Sequence, residues 1–194
     1  MTMKILTLNK KNITDFASAR NDLLDKSASD WNLFLDSDER LSKKINQSFS
    51  KSLNQYALER KNFFLGQYVG SDKIVRLVKK GTGKWQRAVH ETWTPNKTLL
   101  PAGRQDSRCG ILDSVIIHNT ADNLTDYLAK IDNYSTIHAK ANFDEEKTSN
   151  LFKIIFFPIA KFVVTFVKSK NVVFSIMQSL HSFLSWTKLY FLQS

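Results

Sequence analysis

After Glu146 the chain carries no acidic residue, and this break limits what it can fold into more than any other feature. All 18 Asp and Glu lie at or before that point. Residues 1–150 therefore hold 23 basic groups against 18 acidic ones, whereas residues 151–194 hold five Lys and no acid. That tail is also the most apolar stretch of a chain that is rich in Phe, with 14. An acid-free, basic and aromatic segment is attracted to an anionic membrane surface. The alternative is that it packs on the rest of the chain or on a second copy. The sequence thus divides into a main region, 1–148, and a tail, 149–194.

Within the tail, "LFKIIFFPIAKFVVTFV" is interrupted by Lys153, Pro158 and Lys161, which disfavours a spanning helix of about 20 apolar residues. In "VVFSIMQSLHSFLSWTKLYFL" the residues Ser175, Gln178, Ser179, Ser182 and Ser185 recur at three- and four-residue steps. These form a polar stripe, and two amphipathic helices lying in a membrane interface are expected, with Lys heads reaching the phosphate layer.

The net charge of +10 is no simple nucleic-acid signature, because half of the excess sits in the tail and the rest is interleaved with acids. Binding to nucleic acid is not expected. A length of 194 residues accommodates one domain plus an appended segment. Cys109 stands alone, which excludes an internal disulfide framework and a cysteine-based metal site and suits a reducing compartment. The opening "MTMKILTLNKKNITDF" lacks the pattern of a secretory signal, so export is not expected.

The main region reads as α/β. "MKILTL" predicts a short strand, and Thr14 and Asp15 are start signals for a helix carrying Phe16, Ala19, Leu23 and Leu24 to about Ala28. "WNLFL", apolar and bounded by Asp on both sides, predicts a buried strand after that helix. Asp36-Ser37-Asp38 then falls at the carboxyl end of a strand, where open α/β sheets bind ligands. Oxygen ligands at that place suit Mg²⁺ or Mn²⁺, and hence a diphosphate. The competing reading makes "DSDER" a capping turn before a helix in "RLSKKINQSF".

Further on, "YALERKNFFLGQYV" and "DKIVRLVKKGTGKWQ" predict strands, with a Gly-x-Gly turn able to close a hairpin. His90 and Glu91 in "AVHETW" offer a proton acceptor beside a group that orients it or binds metal, or else an ordinary loop contact. "CGILDSVIIHN" predicts a strand ending at His118. Leu124, Tyr127, Leu128, Ile131 and Tyr134 fall on one face of a helix and are expected in the core.

Taken in order, "DFASARNDLLDKSASDWNLFLDSDERLS", "YALERKNFFLG", "VRLVKKGTGKWQRAVHE", "IIHN" and "LTDYLAKIDNYST" resemble bacterial family 2 glycosyltransferases. The nearest branch adds sugars to the lipopolysaccharide core or related lipid-linked glycans. The resemblance implies a GT-A type, Rossmann-like sheet and a nucleotide-sugar donor. It implies a divalent metal, Mg²⁺ or Mn²⁺, held by Asp36 and Asp38, and a donor pocket shaped by Asp36, Arg20 and Asn21. It assigns His90 and Glu91 to the acceptor side, with Glu91 as the catalytic base of an inverting transfer. It further implies a lipid-linked acceptor and a peripheral position on the cytoplasmic face of the inner membrane. About three βα units that bind the nucleotide base in that family have no counterpart here, so the expected sheet is truncated. The alternative function is an inactive fragment, or a non-catalytic protein of the membrane surface.

Overall fold

The computed structural model describes residues 2–9, 13–46, 48–96 and 109–193. The fold is mixed α/β and groups into two compact units. The first unit comprises the described residues up to Lys61 together with Ser71–His118, and the second comprises Asn62–Gly70 and Asn119 onward. The boundary expected at 148/149 lies inside the second unit, between two of its helices.

In the first unit, β1 (Met3–Leu8), α1 (Phe16–Lys26) and β2 (Trp31–Asp36) form a parallel crossover in which Leu8 pairs with Asp36. Asp15 caps α1 by accepting from the Ser18 amide at 2.9 Å. All six residues of β2 are buried. Trp31, Leu33 and Leu35 join a cluster with Tyr56, Leu58, Leu77, Leu112 and Ile116, whereas Phe34 packs with Leu6, Leu24, Val78, Trp85 and Trp93. The strand's period of two therefore feeds two cores at once.

The sheet continues through β3 (Glu39–Leu41), β4 (Gln55–Phe64), β5 (Gln67–Lys79) and β8 (Cys109–Ala121), in the order β1-β2-β5-β4-β8-β3. β1 occupies one edge. β5 runs antiparallel to β2, and β3 antiparallel to β8, with Glu39 opposite His118. Residues 39–41 are thus a short strand, and the described residues among 42–54 contain no helix, which overturns the capping-turn reading of "DSDER". β-Pairing with β8 won over the helix propensity of "RLSKKINQSF".

β6 (Gly83–Gln86) pairs with β7 (Thr92–Pro95) in a separate ribbon. The Gly-x-Gly turn therefore releases the chain from the main sheet and closes no hairpin between β5 and β6. Gly81 takes φ +78, and a Cβ on Gly83 would stand 2.5 Å from the Thr94 carbonyl, so neither position tolerates a side chain without strain.

In the second unit, the β4–β5 turn places Leu65 and Gly66 at positive φ. Phe64, Val69, Tyr127 and Ile131 form its buried cluster. Three helices follow: α2 (Leu124–Asp144), α3 (Leu151–Ser169) and α4 (Val172–Leu192), capped by Asn123, Asn150 and Asn171. Tyr127 and Ile131 are core residues as expected, whereas Leu124 and Leu128 are exposed. The inward face of α2 continues instead through Ser135, Ala139 and Asn142.

Candidate functional site: a buried ionic cluster at the end of β2

Asp36 closes β2 with its side chain only 7% exposed, so its charge has to be met inside the protein. Two arginines meet it. Arg20, fully buried on α1, donates from Nη2 to Asp36 Oδ1 at 2.6 Å, and Arg76 of β5 donates to Oδ2 at 3.1 Å. The Asp36 amide in turn donates to Glu39 Oε2 at 3.0 Å, and Glu39 Oε1 accepts from Arg76 at 2.9 Å.

Glu91 reaches the same cluster from the loop before β7. Arg20 Nε donates to its Oε1 at 2.8 Å, and Arg76 Nη1 stands 3.8 Å from the same oxygen. Among the described residues, Glu91 Oε2 accepts no hydrogen bond. The Arg20 guanidinium also lies 5.6 Å from the Phe34 ring and 5.4 Å from the Trp85 ring, which restricts it to one plane. Charge-assisted bonds of this kind are roughly twice as strong as neutral ones and fix each carboxylate in orientation.

Arg60 of β4 extends the network. It holds Asp72 with two bonds, at 3.1 and 2.7 Å, and reaches Glu39 at 3.3 Å. Burial works against the Arg60 charge, but the bond and charge of Asp72 and then Glu39 outweigh it, so its pKa is raised.

Three of the six residues nominated from sequence, Arg20, Asp36 and Glu91, therefore come together, and the other three do not join them. Asn21 clips α1 to β6: its amide donates to the Trp85 carbonyl and accepts from the Trp85 amide, both at 3.0 Å. It also lines a cavity of about 250 Å³ with Leu24, Asp25, Lys80, Gly81 and Lys84. Because Lys79 pairs with Trp31, that cavity lies by the opening end of β2, away from Asp36. His90 is exposed at φ +54. Asp38, 22% exposed at the side chain, pairs with His118 at 3.4 Å.

A divalent ion does not fit Asp36 as the cluster stands, since each carboxylate oxygen already accepts from an arginine. Among the described residues no group of three or more His, Cys, Asp or Glu is arranged to hold a metal. Asp38 beside His118 is the more accessible of the two aspartates. Arg76, Arg60, Asp72 and the Asp38–His118 pair were not singled out from sequence as site residues. Arg76 had a visible signal, because an arginine inside "KIVRLVKK" has apolar neighbours on both sides and so belongs to a strand with little room to reach water.

No family model matches the chain, and no curated protein matches it.

Proposed function

We propose that the chain is a family 2 glycosyltransferase of the GT-A type, or the acceptor-side part of one. It moves a sugar from a nucleotide-sugar to a lipid-linked or lipopolysaccharide-type acceptor at the cytoplasmic face of the inner membrane. The observation that carries this reading is a convergence. Arg20, Asp36 and Glu91 come from three separate sequence motifs and meet beyond the carboxyl end of a strand in an α/β unit, where such folds bind ligands.

Glu91 is suited to accept a proton. Arg20 holds it through Oε1, so Oε2 faces an acceptor hydroxyl in a fixed direction. The hydroxyl oxygen then bonds to the anomeric carbon, and the bond from that carbon to the donor phosphate breaks with its electron pair on the diphosphate. Attack from the side opposite the leaving group inverts the centre. Asp36 acts as a positioning residue in this scheme: it anchors Arg20, which anchors Glu91. Any dependence on Mg²⁺ or Mn²⁺ traces to Asp38 and not to Asp36.

A specific observation favours the second reading, a non-catalytic protein of the membrane surface. The charges of Asp36 and Glu39 are already answered by arginines, as in a structural network. Equilibrium dialysis of a nucleotide-sugar panel against the full chain, with and without Mn²⁺, separates the two. Binding that Asp38→Asn weakens supports the transferase. The absence of binding by any nucleotide-sugar at millimolar concentration rejects it.

A further inference from the structure

Two of the three buried residues of α4 are serines. Ser175 and Ser185 of α4 are 0% and 2% exposed, while Val172, Val173, Ile176, Phe183 and Phe191 of the same helix face outward. The buried hydroxyls are satisfied within their own helix, Ser175 Oγ donating to the Asn171 carbonyl and Ser185 Oγ to that of His181. Ser179 Oγ donates across to the Pro158 carbonyl of α3, and Gln178 to Tyr127 of α2. Small side chains on the inner face let neighbouring helices approach closely, an arrangement typical of helices surrounded by lipid.

α3 carries the same inversion further, for Pro158 is its one buried residue. Phe152, Ile155, Phe156, Ile159, Val163 and Val167 are each at least half exposed and follow helical spacing along one face. Lys161 and Lys168 fall nearly half a turn around the helix from that stripe and are exposed on its other side. Such a contiguous apolar face is larger than soluble surfaces ordinarily leave uncovered.

We infer that the α3–α4 hairpin docks flat on an anionic lipid bilayer, with the α3 stripe among the acyl chains and Lys161 and Lys168 on the side turned away from the hydrocarbon. Charge complementarity selects this occupant. Residues 151–194 hold five Lys and no acid, so an anionic surface attracts this segment, whereas a second copy presents the same charge. Flat docking follows from their placement: α3 is about 28 Å long, and Lys161 stands near its middle, so a plunging helix would carry that charge into hydrocarbon. No described helix is long and apolar enough to cross a membrane. The inference deepens the peripheral location proposed above and is independent of sugar transfer.

Vesicle co-sedimentation of the full chain tests it, with phosphatidylglycerol-rich and pure phosphatidylcholine vesicles and no nucleotide-sugar present. The chain is expected to bind the anionic vesicles. The double variant Ile159→Asn, Val163→Asn is expected to lower that partition at least about tenfold with unchanged circular dichroism. The double variant Lys161→Gln, Lys168→Gln is expected to lower it about fivefold, on anionic vesicles only. A chain that binds no vesicle overturns both the location and this docking face. A chain whose stripe variants bind as well as the wild type overturns the face and leaves the location standing. A lipid-free dimer that the stripe variants convert to monomer makes a second copy the occupant and overturns the inference.

Discussion

The sheet unit and the helical unit depart from the usual arrangement of inside and outside in opposite directions. The first encloses Arg20, Arg76, Asp36 and Glu39 among its core strands, while the second leaves the Phe, Ile and Val residues of α3 outside. Soluble domains ordinarily do the reverse on both counts. Buried charge is tolerable only where every member has a partner already in place, so the first departure is answered within the protein. Exposed apolar surface is answered only by something external, so the second points to an environment other than water. A cluster of buried charges paired within the protein and a surface in want of cover are different kinds of functional feature, and mutations distinguish them.

The largest effect is expected in the cluster. Arg20→Ala leaves Asp36 and Glu91 without their closest cation and is expected to cost about 3–5 kcal/mol of stability, measured by urea denaturation. Next comes the core of the helical unit, where Tyr127 is buried and accepts from Gln178. Burial pushes its pKa up to about 12, and the Gln178 bond offsets part of that shift. An unfolded tyrosine ionises near pH 10. The stability that follows from the raised value is therefore complete below that pH and falls as pH rises toward 12. Tyr127→Phe is expected to lose about 2–3 kcal/mol less than the wild type across this window, as read from denaturation curves on either side of it.

Asn21→Ala removes both bonds to the Trp85 backbone and is expected to cost about 1–3 kcal/mol, read as a lower melting temperature. The smallest effect is expected on the outer face of α3. Phe156→Ser changes stability by no more than about 0.5 kcal/mol if that face is answered by lipid and not by the protein. A loss of several kcal/mol there would mean that the stripe is part of the core, and the contrast between the units would fail.

Much of the architecture could be read from the sequence because periodicity and capping act locally. The buried strand "WNLFL", the Asp15 cap and the absence of a spanning helix among the described residues all follow from residues near one another in the chain. Features that depend on distant partners were harder to read. Residues 39–41 became a strand because β8, far along the sequence, supplied a pairing edge.

The serine stripe of α4 reads in sequence as the polar stripe of an amphipathic interfacial helix, whereas Ser175 and Ser185 are buried and Ser179 bonds to α3. A hydroxyl that bonds back to its own helix brings little polarity to an interface, and serine's small size then counts for more than its polarity. In the candidate site, the chain positions of Arg20, Asp36 and Glu91 were visible as motifs. Their mutual contact was not, nor was Arg76, which links Asp36 to Glu39 only once β5 lies beside β2. Asp36 shows the limit of reading a carboxylate by its neighbours in sequence: spacing from Asp38 suggests a metal, but space around it holds two arginines.

Turnover of a radiolabelled nucleotide-sugar by the full chain on anionic vesicles, compared with Glu91→Gln, tests the central proposal most directly. The amide keeps the shape of Glu91 and can still accept from Arg20, but it cannot take a proton. The account predicts transfer or hydrolysis by the wild type and a loss of about 100-fold or more in Glu91→Gln at a similar melting temperature. Equal turnover in the two proteins, or none in either, would contradict it.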